Sequence, residues 1–126
     1  MDIGNLKNNH TFYEGYEGEP EIILLMKEMS EYSIHLWEGY FDDIFGEPML
    51  DGNGWKGFTR DIHQLEGAFG DNEIAETIDA AEYLEDILSY RKKSFRYAES
   101  ATALALIADF LQYAVDNSLT VTVEMV

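Results

Sequence analysis

The chain has 126 residues, enough for one domain with a hydrophobic core, and 46% of them are apolar, which excludes a disordered polymer extended by its own charge. Its 25 acidic residues against 8 basic ones give a formal net charge of −17 at pH 7, which argues against direct binding to nucleic acid or to anionic membranes. The absence of cysteine excludes disulfides, thiol catalysis and thiolate metal sites.

Targeting patterns point to the cytoplasm. The N-terminal sequence "MDIGNLKNNH" lacks the basic and then apolar pattern of a secretion signal, and the longest apolar run, "IILLM", is too short to cross a bilayer. We therefore expect a cytoplasmic protein that makes no membrane contact.

The first half of the chain gives weak secondary-structure signals. Residues 1–20 are polar with interspersed aromatics, and we expect a loosely ordered N-terminal segment that ends at Pro20. The stretch "EIILLMKEMSEY" fits one face of a helix and equally a buried strand, so both remain open. "YSIHLW" alternates and predicts a strand that ends at Trp37, whereas "GYFDDIFGEPMLDGNGWKG", with five glycines and one proline, predicts a loop.

Three helices are predicted in the second half. The first runs from Thr59 to Gly70, with apolar positions at Phe58, Ile62, Leu65 and Phe69. The second begins after a capping Asp71, and its core stripe consists of Ile74, Ile78, Ala81, Leu84 and Leu88. The third begins at Ser100 or Thr102 and ends near Asn117, and its inward face consists of Leu104, Ile107, Leu111 and Ala114.

Two further strands are predicted around the third helix, in "KSFRY" and in the alternating tail "LTVTVEMV". The unit that starts at Lys93 has the order strand, helix, strand. This order suits a right-handed crossover between two parallel strands. The predicted fold class is α+β (or α/β): one domain over residues 1–126, with amphipathic helices on a small sheet and a C-terminal β-α-β unit. The tail strand at an edge could also pair with another chain, so the oligomeric state stays open.

The stretch "MLDGNGWKGFTRDIHQLE" begins like a calcium-binding loop. An EF-hand needs an oxygen ligand at loop position five, glycine at six and glutamate at twelve. Counted from Asp51, those positions hold Trp55, Lys56 and Ile62. The loop is therefore not an EF-hand.

Two His-x-x-Glu pairs raise the question of another metal site. His63 and Glu66 would share a face of a helix, whereas His35 and Glu38 lie on a predicted strand, where this spacing places side chains on opposite faces. Surface histidines near abundant acid explain both pairs. We expect no metal ion and no cofactor, and we keep a carboxylate-rich metal enzyme as a remote alternative.

No other pattern indicates catalysis. The chain has neither a Gly-x-Ser-x-Gly nucleophile motif nor a phosphate-binding glycine loop, and adjacent acids such as Asp42 and Asp43 are common in so acidic a sequence. We expect a protein that is not an enzyme.

Acidic side chains instead suggest a basic protein partner. One predicted patch lies on the second helix, opposite its apolar stripe, where no lysine or arginine occurs between Asp71 and Tyr90; it consists of Glu76, Asp79, Glu82 and Asp86. A solvated outer face is the alternative reading of this patch. A second patch combines acids with tyrosines, which anchor protein interfaces, and consists of Tyr13, Glu14, Tyr16, Glu17, Glu38, Tyr40, Asp42 and Asp43. We expect Trp55 and Phe58 to lie in the core, and Tyr13, Tyr16 and Tyr40 to be more exposed.

The aromatic–glycine turn "LWEGYF" and the stretch "GWKGFTRDI" that leads into a helix carry a family resemblance, with Trp37, Gly39, Trp55 and Gly57 as local anchors. Over residues 32–126 the chain resembles the immunity proteins of bacterial polymorphic toxin systems, including those of contact-dependent growth inhibition. The resemblance implies a cytoplasmic inhibitor that binds one cognate toxin domain, often a basic nuclease, and blocks its active site. The alternative is an acidic DNA mimic that binds a nucleic-acid-binding protein.

Overall fold

The computed structural model of the chain describes residues 3–46, 56–63 and 76–126. A short 3-10 helix over Ile3–Leu6 precedes the first strand. In chain order the strands and helices are β1 (Asn9–Phe12), β2 (Glu21–Met26), β3 (Ser33–Trp37), α1 (Glu38–Phe45), α2 (Gly57–His63), β4 (Glu76–Ile78), α3 (Ala80–Leu88), α4 (Ala98–Asp116) and β5 (Val121–Met125).

The described strands form one five-stranded mixed sheet in the order β1-β3-β2-β5-β4. β1 runs parallel to β3, and the other neighbouring pairs are antiparallel. With helices packed on this sheet, the fold belongs to the predicted α+β class.

Strict alternation in β2 separates the two faces of the sheet. Ile22, Leu24 and Met26 are fully buried, whereas Ile23 and Leu25 are half-buried on the other face. The buried face meets α1 and the long α4, whose apolar side chains complete the core. Because side chains alternate along a strand, the opposite face of β2 and β3 carries Glu21 and His35 beside these half-buried residues.

In the first half of the chain, the structure decides one prediction that was left open and corrects another. "EIILLM" is a strand, which decides between the two readings left open for it. The prediction of a loop beginning at Gly39 was wrong up to Phe45, because α1 occupies this stretch. Its buried residues lie at helical spacing and outweigh the flanking glycines; they are Tyr40, Phe41, Ile44 and Phe45. The strand "YSIHLW" is confirmed, and residues 47–55, including Trp55, lie outside the described residues.

In the second half, the helix predicted from Asp71 was wrong in its N-terminal part. Glu76–Ile78 forms β4, and α3 begins only at Ala80, where the Asp79 carboxylate accepts hydrogen bonds from the N–H groups of Ala81 and Glu82. The helix predicted over residues 59–70 corresponds to α2 as far as His63, and buried Phe58 is confirmed in the core. Residues 64–75 lie outside the described part.

The prediction of a C-terminal β-α-β unit with parallel strands was also wrong. "KSFRY" forms no strand, because the N–H groups of Arg96 and Tyr97 bind the carboxylate of Asp43 instead of a neighbouring strand. Among the described strands, β5 therefore has no parallel partner and pairs antiparallel with β2 and β4. The inward face predicted for the third helix is confirmed in α4, as is the tail strand. Within the described residues, no helix combines the length and the apolar character needed to span a membrane.

Candidate functional site

Aromatic side chains from distant segments meet where β3 ends and α1 begins. Tyr16 stacks on Trp37 with ring centroids 4.1 Å apart and planes inclined by 4°. Tyr40 packs edge-on against both rings, Tyr97 packs against Trp37 and Tyr40, and Phe12 lies edge-on to Tyr40. We call these five residues the aromatic cluster.

Local backbone geometry makes the stack possible. The turn between β1 and β2 uses Gly15 and Gly18 at φ values of 89° and 95°, which side-chain-bearing residues rarely adopt, and it holds Tyr16 between them. On the other side, the Trp37 ring lies directly over Gly39, where a Cβ atom would collide with it. The three glycines thus allow contact between Tyr16 and Trp37, which lie about twenty residues apart in sequence.

Tyr40 is the buried support of the cluster. Its hydroxyl lies 3.0 Å from that of Tyr16, and only 6% of the residue is exposed, so the prediction that Tyr40 is one of the more exposed rings was wrong. Burial and this hydrogen bond raise the pKa of Tyr40 well above its usual value, so the hydroxyl remains protonated. Tyr13 and Tyr16 are half-buried, and the Tyr13 hydroxyl donates to the carbonyl oxygen of Glu19.

Carboxylates surround the cluster. Glu14 and Glu17 are exposed on the turn that carries Tyr16, Glu38 follows Trp37 directly, and Asp42 and Glu99 are exposed on α1 and α4. We call these five residues the acidic rim. The ion pairs among the described residues involve none of them. The rim therefore places carboxylates that are in no ion pair among the described residues around partly exposed aromatic rings.

A cleft of about 530 Å³ opens beside the aromatic cluster. Trp37 and Tyr97 line it together with Asp42, Lys93 and Arg96, so it combines ring surfaces with both signs of charge. The Lys93 ammonium donates to the carbonyl oxygens of Asp43 and Ile44 near the C-terminal end of α1, where cations are favoured.

Asp43, predicted as an interface residue, joins α1 to α4. Its carboxylate accepts hydrogen bonds from the N–H groups of Arg96 (3.0 Å) and Tyr97 (2.9 Å) and from the Ser100 hydroxyl (2.7 Å). Burial alone would raise the pKa of Asp43, but these hydrogen bonds, led by that of Tyr97, outweigh it and hold the pKa below its usual value. Asp43 thus caps the start of α4 through tertiary contacts.

The predicted acidic face of the second helix is not a continuous surface. Glu76 lies in β4, Asp79 caps α3, and the Glu82 carboxylate is 3.0 Å from the Arg60 guanidinium. Asp86 is only 3% exposed and accepts hydrogen bonds from Thr59, so its prediction as a surface residue was wrong. The sequence around these acids has no lysine or arginine, but the fold brings basic residues from α2 and its N-terminal flank to α3. Lys56 pairs with Glu85, and Arg60 pairs with Glu82.

A second cluster combines two histidines with a carboxylate on the half-buried face of the sheet. The Nδ1 atom of His35 lies 2.6 Å from a Glu21 oxygen, and the His10 ring stacks on the His35 ring with centroids 3.8 Å apart. His10, Glu21 and His35 come from β1, β2 and β3, which are neighbours in the sheet. The His-x-x-Glu pattern links His35 with Glu38, whereas the observed partners of His35 lie on the neighbouring strands.

The same histidine also takes part in an arrangement that resembles a catalytic serine–histidine–acid triad. Its Nε2 lies 3.4 Å from Ser33 Oγ, and its Nδ1 contacts Glu21. A nucleophile must reach its substrate, and Ser33 is only 4% exposed, with its hydroxyl also donating to the side-chain oxygen of Asn8. The arrangement therefore does not suit nucleophilic catalysis.

Comparison of the chain with protein-family models, with curated proteins and with solved structures found no match. The resemblance to bacterial immunity proteins accordingly stays a prediction.

Proposed function

We propose that the chain is a binding protein that docks onto a basic protein partner through the aromatic cluster and the acidic rim. The observation that carries this proposal is the stack of partly exposed Tyr16 and Trp37 within a ring of carboxylates that have no ion pair among the described residues. Aromatic anchors inside a polar rim are the common composition of protein interfaces.

The two parts of this surface have separate physical roles. The rim and the net charge of −17 attract a cationic partner and accelerate encounter, an effect that salt screens. The rings provide apolar area that leaves water on docking. Because Tyr40 already holds Tyr16 against Trp37, ordering these side chains costs little further entropy when the partner binds.

The partner that best fits the resemblance is a cognate toxin domain, and we propose that the chain is a cytoplasmic immunity protein rather than an enzyme. A nuclease toxin would have a cationic active site because it binds phosphates. The acidic rim would occupy that site, and the aromatic cluster would set the lifetime of the complex.

DNA mimicry has less support. It requires carboxylates in an extended array that resembles backbone phosphates, and the acidic patch predicted on the second helix is a candidate for such an array. Glu82 and Glu85 pair with basic residues and Asp86 is buried, so this helix does not present such an array.

The test is affinity capture with tagged protein from the source cells, washed at low and then at high salt, with mass spectrometry of the eluate. The rim variant combines Glu14→Lys, Glu17→Lys and Asp42→Lys. A matched control reverses three exposed acids away from the cluster and changes the net charge equally: Glu31→Lys, Asp109→Lys and Asp116→Lys. The expected result is one basic protein, captured by wild type and control, whose retention the rim variant reduces at least about tenfold.

Binding and toxin neutralisation are then separated by two further measurements. Tyr16→Ala removes an anchor and is expected to weaken the purified complex by about 2 kcal/mol, whereas Tyr16→Phe, which keeps the ring stack, weakens it much less. Expression of the captured domain should arrest growth, and co-expression of the wild-type chain should restore it. Equal losses in the rim variant and the control would contradict the proposed surface. Capture of a nucleic-acid-binding protein that duplex DNA displaces would support mimicry instead.

A further inference from the structure

We propose that His10, Glu21 and His35 form a binding site for a divalent transition-metal ion of the zinc type. One ligand atom from each of these residues lies within 4.8 Å of those from the other two. None of the three residues belongs to the aromatic cluster or to the acidic rim, although Glu21 pairs across the strands with Trp37.

Strand register creates this arrangement. Ile23 of β2 pairs with His35 of β3, and Glu21, two residues before Ile23, projects from the same face of the sheet. β1 lies on the other side of β3 and brings His10 against the His35 ring. Three adjacent strands thus each contribute one metal-ligating side chain to the face opposite the helices.

The separations are close to those of a bound ion. Zinc lies about 2.0–2.1 Å from nitrogen and oxygen ligands, which places tetrahedral ligand atoms about 3.3–3.4 Å from one another. The His35 Nδ1 and Glu21 atoms are 2.6 Å apart, so this pair would open by about 0.7 Å as the ion replaces the proton of their hydrogen bond. The separations from His10, which are at most 4.8 Å, would shorten by no more than about 1.5 Å.

A rotation of His10 supplies this contraction. The two imidazole planes are inclined by only 18°, so their in-plane lone pairs run nearly parallel and do not converge on one point. His10 is exposed, and its side chain can change rotamer without disturbing the core. Glu21 and His35 are half-buried and hydrogen-bonded to each other, so they form the fixed side of the site.

The donor set selects the class of metal. Two imidazoles and one carboxylate suit zinc and its first-row neighbours, whereas magnesium and calcium prefer oxygen ligands alone. When His35 coordinates through Nδ1, its Nε2–H is left to donate to Ser33 Oγ, 3.4 Å away, which fixes the ring orientation. Three protein ligands leave a coordination position for water or for a group of another molecule.

Isothermal titration calorimetry of the full chain with zinc chloride tests the site, with magnesium chloride as the control ion. The wild type is expected to bind one zinc ion, and His10→Ala and Glu21→Gln are each expected to weaken binding at least about tenfold. The matched control is His63→Ala, which removes the remaining histidine of the chain's three and should leave the affinity unchanged. His10→Ala is the decisive variant, because His10 is exposed and its loss does not threaten folding.

Imidazole resonances in NMR spectra give a second readout, in which zinc should shift the signals of His10 and His35 and not those of His63. A site-specific ion should also raise the thermal unfolding temperature of the wild type, and not that of His10→Ala, since binding to the folded state alone stabilises it. Absence of zinc binding, several weak equivalents per chain, or an equal loss in His63→Ala would each overturn the proposal.

Discussion

Replacing Asp86 with alanine tests whether this acid is a structural residue or a surface charge. Asp86 is 3% exposed on α3, and its carboxylate accepts the N–H of Thr59 at 3.0 Å and the Thr59 hydroxyl at 2.9 Å. The Thr59 hydroxyl also lies 2.5 Å from that of Tyr90. The residue therefore joins α3 to the first turn of α2 through a buried polar network.

The expected cost follows from the groups left behind. A buried donor that loses a charged acceptor costs about 1–3 kcal/mol, and the substitution leaves the N–H of Thr59 without the carboxylate that accepts its hydrogen bond. The Thr59 hydroxyl can turn towards Tyr90, so it loses less. Adding the small cavity gives a decrease of about 3 kcal/mol in the free energy of unfolding, a large share of the stability of a domain of this size.

Urea denaturation followed by far-UV circular dichroism measures this change. With a denaturant dependence of about 1.5 kcal/mol per molar urea, the midpoint should fall by about 2 M. The matched control is Glu85→Ala, the preceding position on the same helix, whose side chain is 71% exposed and pairs with Lys56 at the surface. That control should cost less than about 1 kcal/mol. Asp86→Asn keeps one acceptor oxygen and should fall between the two.

Equal midpoints for Asp86→Ala and Glu85→Ala would refute the structural assignment of Asp86. A loss of partner binding in Asp86→Ala without any loss of stability would restore the original prediction of a surface charge. Measuring both properties on the same preparations separates these outcomes.

Two other substitutions probe the surroundings of the aromatic cluster. Asp43→Asn should lower the free energy of unfolding at pH 7 by about 2 kcal/mol, because the ionised carboxylate accepts three hydrogen bonds. The pKa of Asp43 is lower in the folded state than in the unfolded state, where it is about 3.9. This contribution to stability is therefore present above the unfolded-state pKa and is lost as the pH falls through the folded-state pKa. The difference in the free energy of unfolding between variant and wild type, measured by urea denaturation, should shrink below pH 4. Gly39→Ala places a methyl group in the Trp37 ring, so it should displace that ring from Tyr16, change the near-UV circular dichroism spectrum and weaken partner binding. An unchanged near-UV spectrum would show that the Trp37 ring is not seated against Gly39.

The elements that sequence predicted correctly have strong local periodicity. α4 combines an apolar stripe with a length of 19 residues, and the alternation in "YSIHLW" and in the tail matches a strand with one face in the core. The α+β class follows from such elements together. Net charge and the absence of cysteine are likewise properties of composition alone.

Elements with competing local signals depended on the rest of the fold. β2 contains an apolar run compatible with helix or strand, and its pairing with both β3 and β5 makes it a strand. α1 lies in a glycine-rich stretch and forms because its apolar face packs on the sheet and on α4. The segment at Arg96 and Tyr97 stays out of the sheet because Asp43 takes its N–H groups.

The candidate sites required the tertiary structure for the same reason. The sequence by itself determined that the surface is strongly acidic and that aromatic residues occur among the acids. Which acids remain available was decided only in space: Asp86 is enclosed between helices, and Glu82 pairs with Arg60, which lies 22 positions away. The contact between Tyr16 and Trp37 and the meeting of three strands at His35 are likewise long-range. Local periodicity reports the face on which a side chain lies, and only folding determines which distant side chain lies beside it.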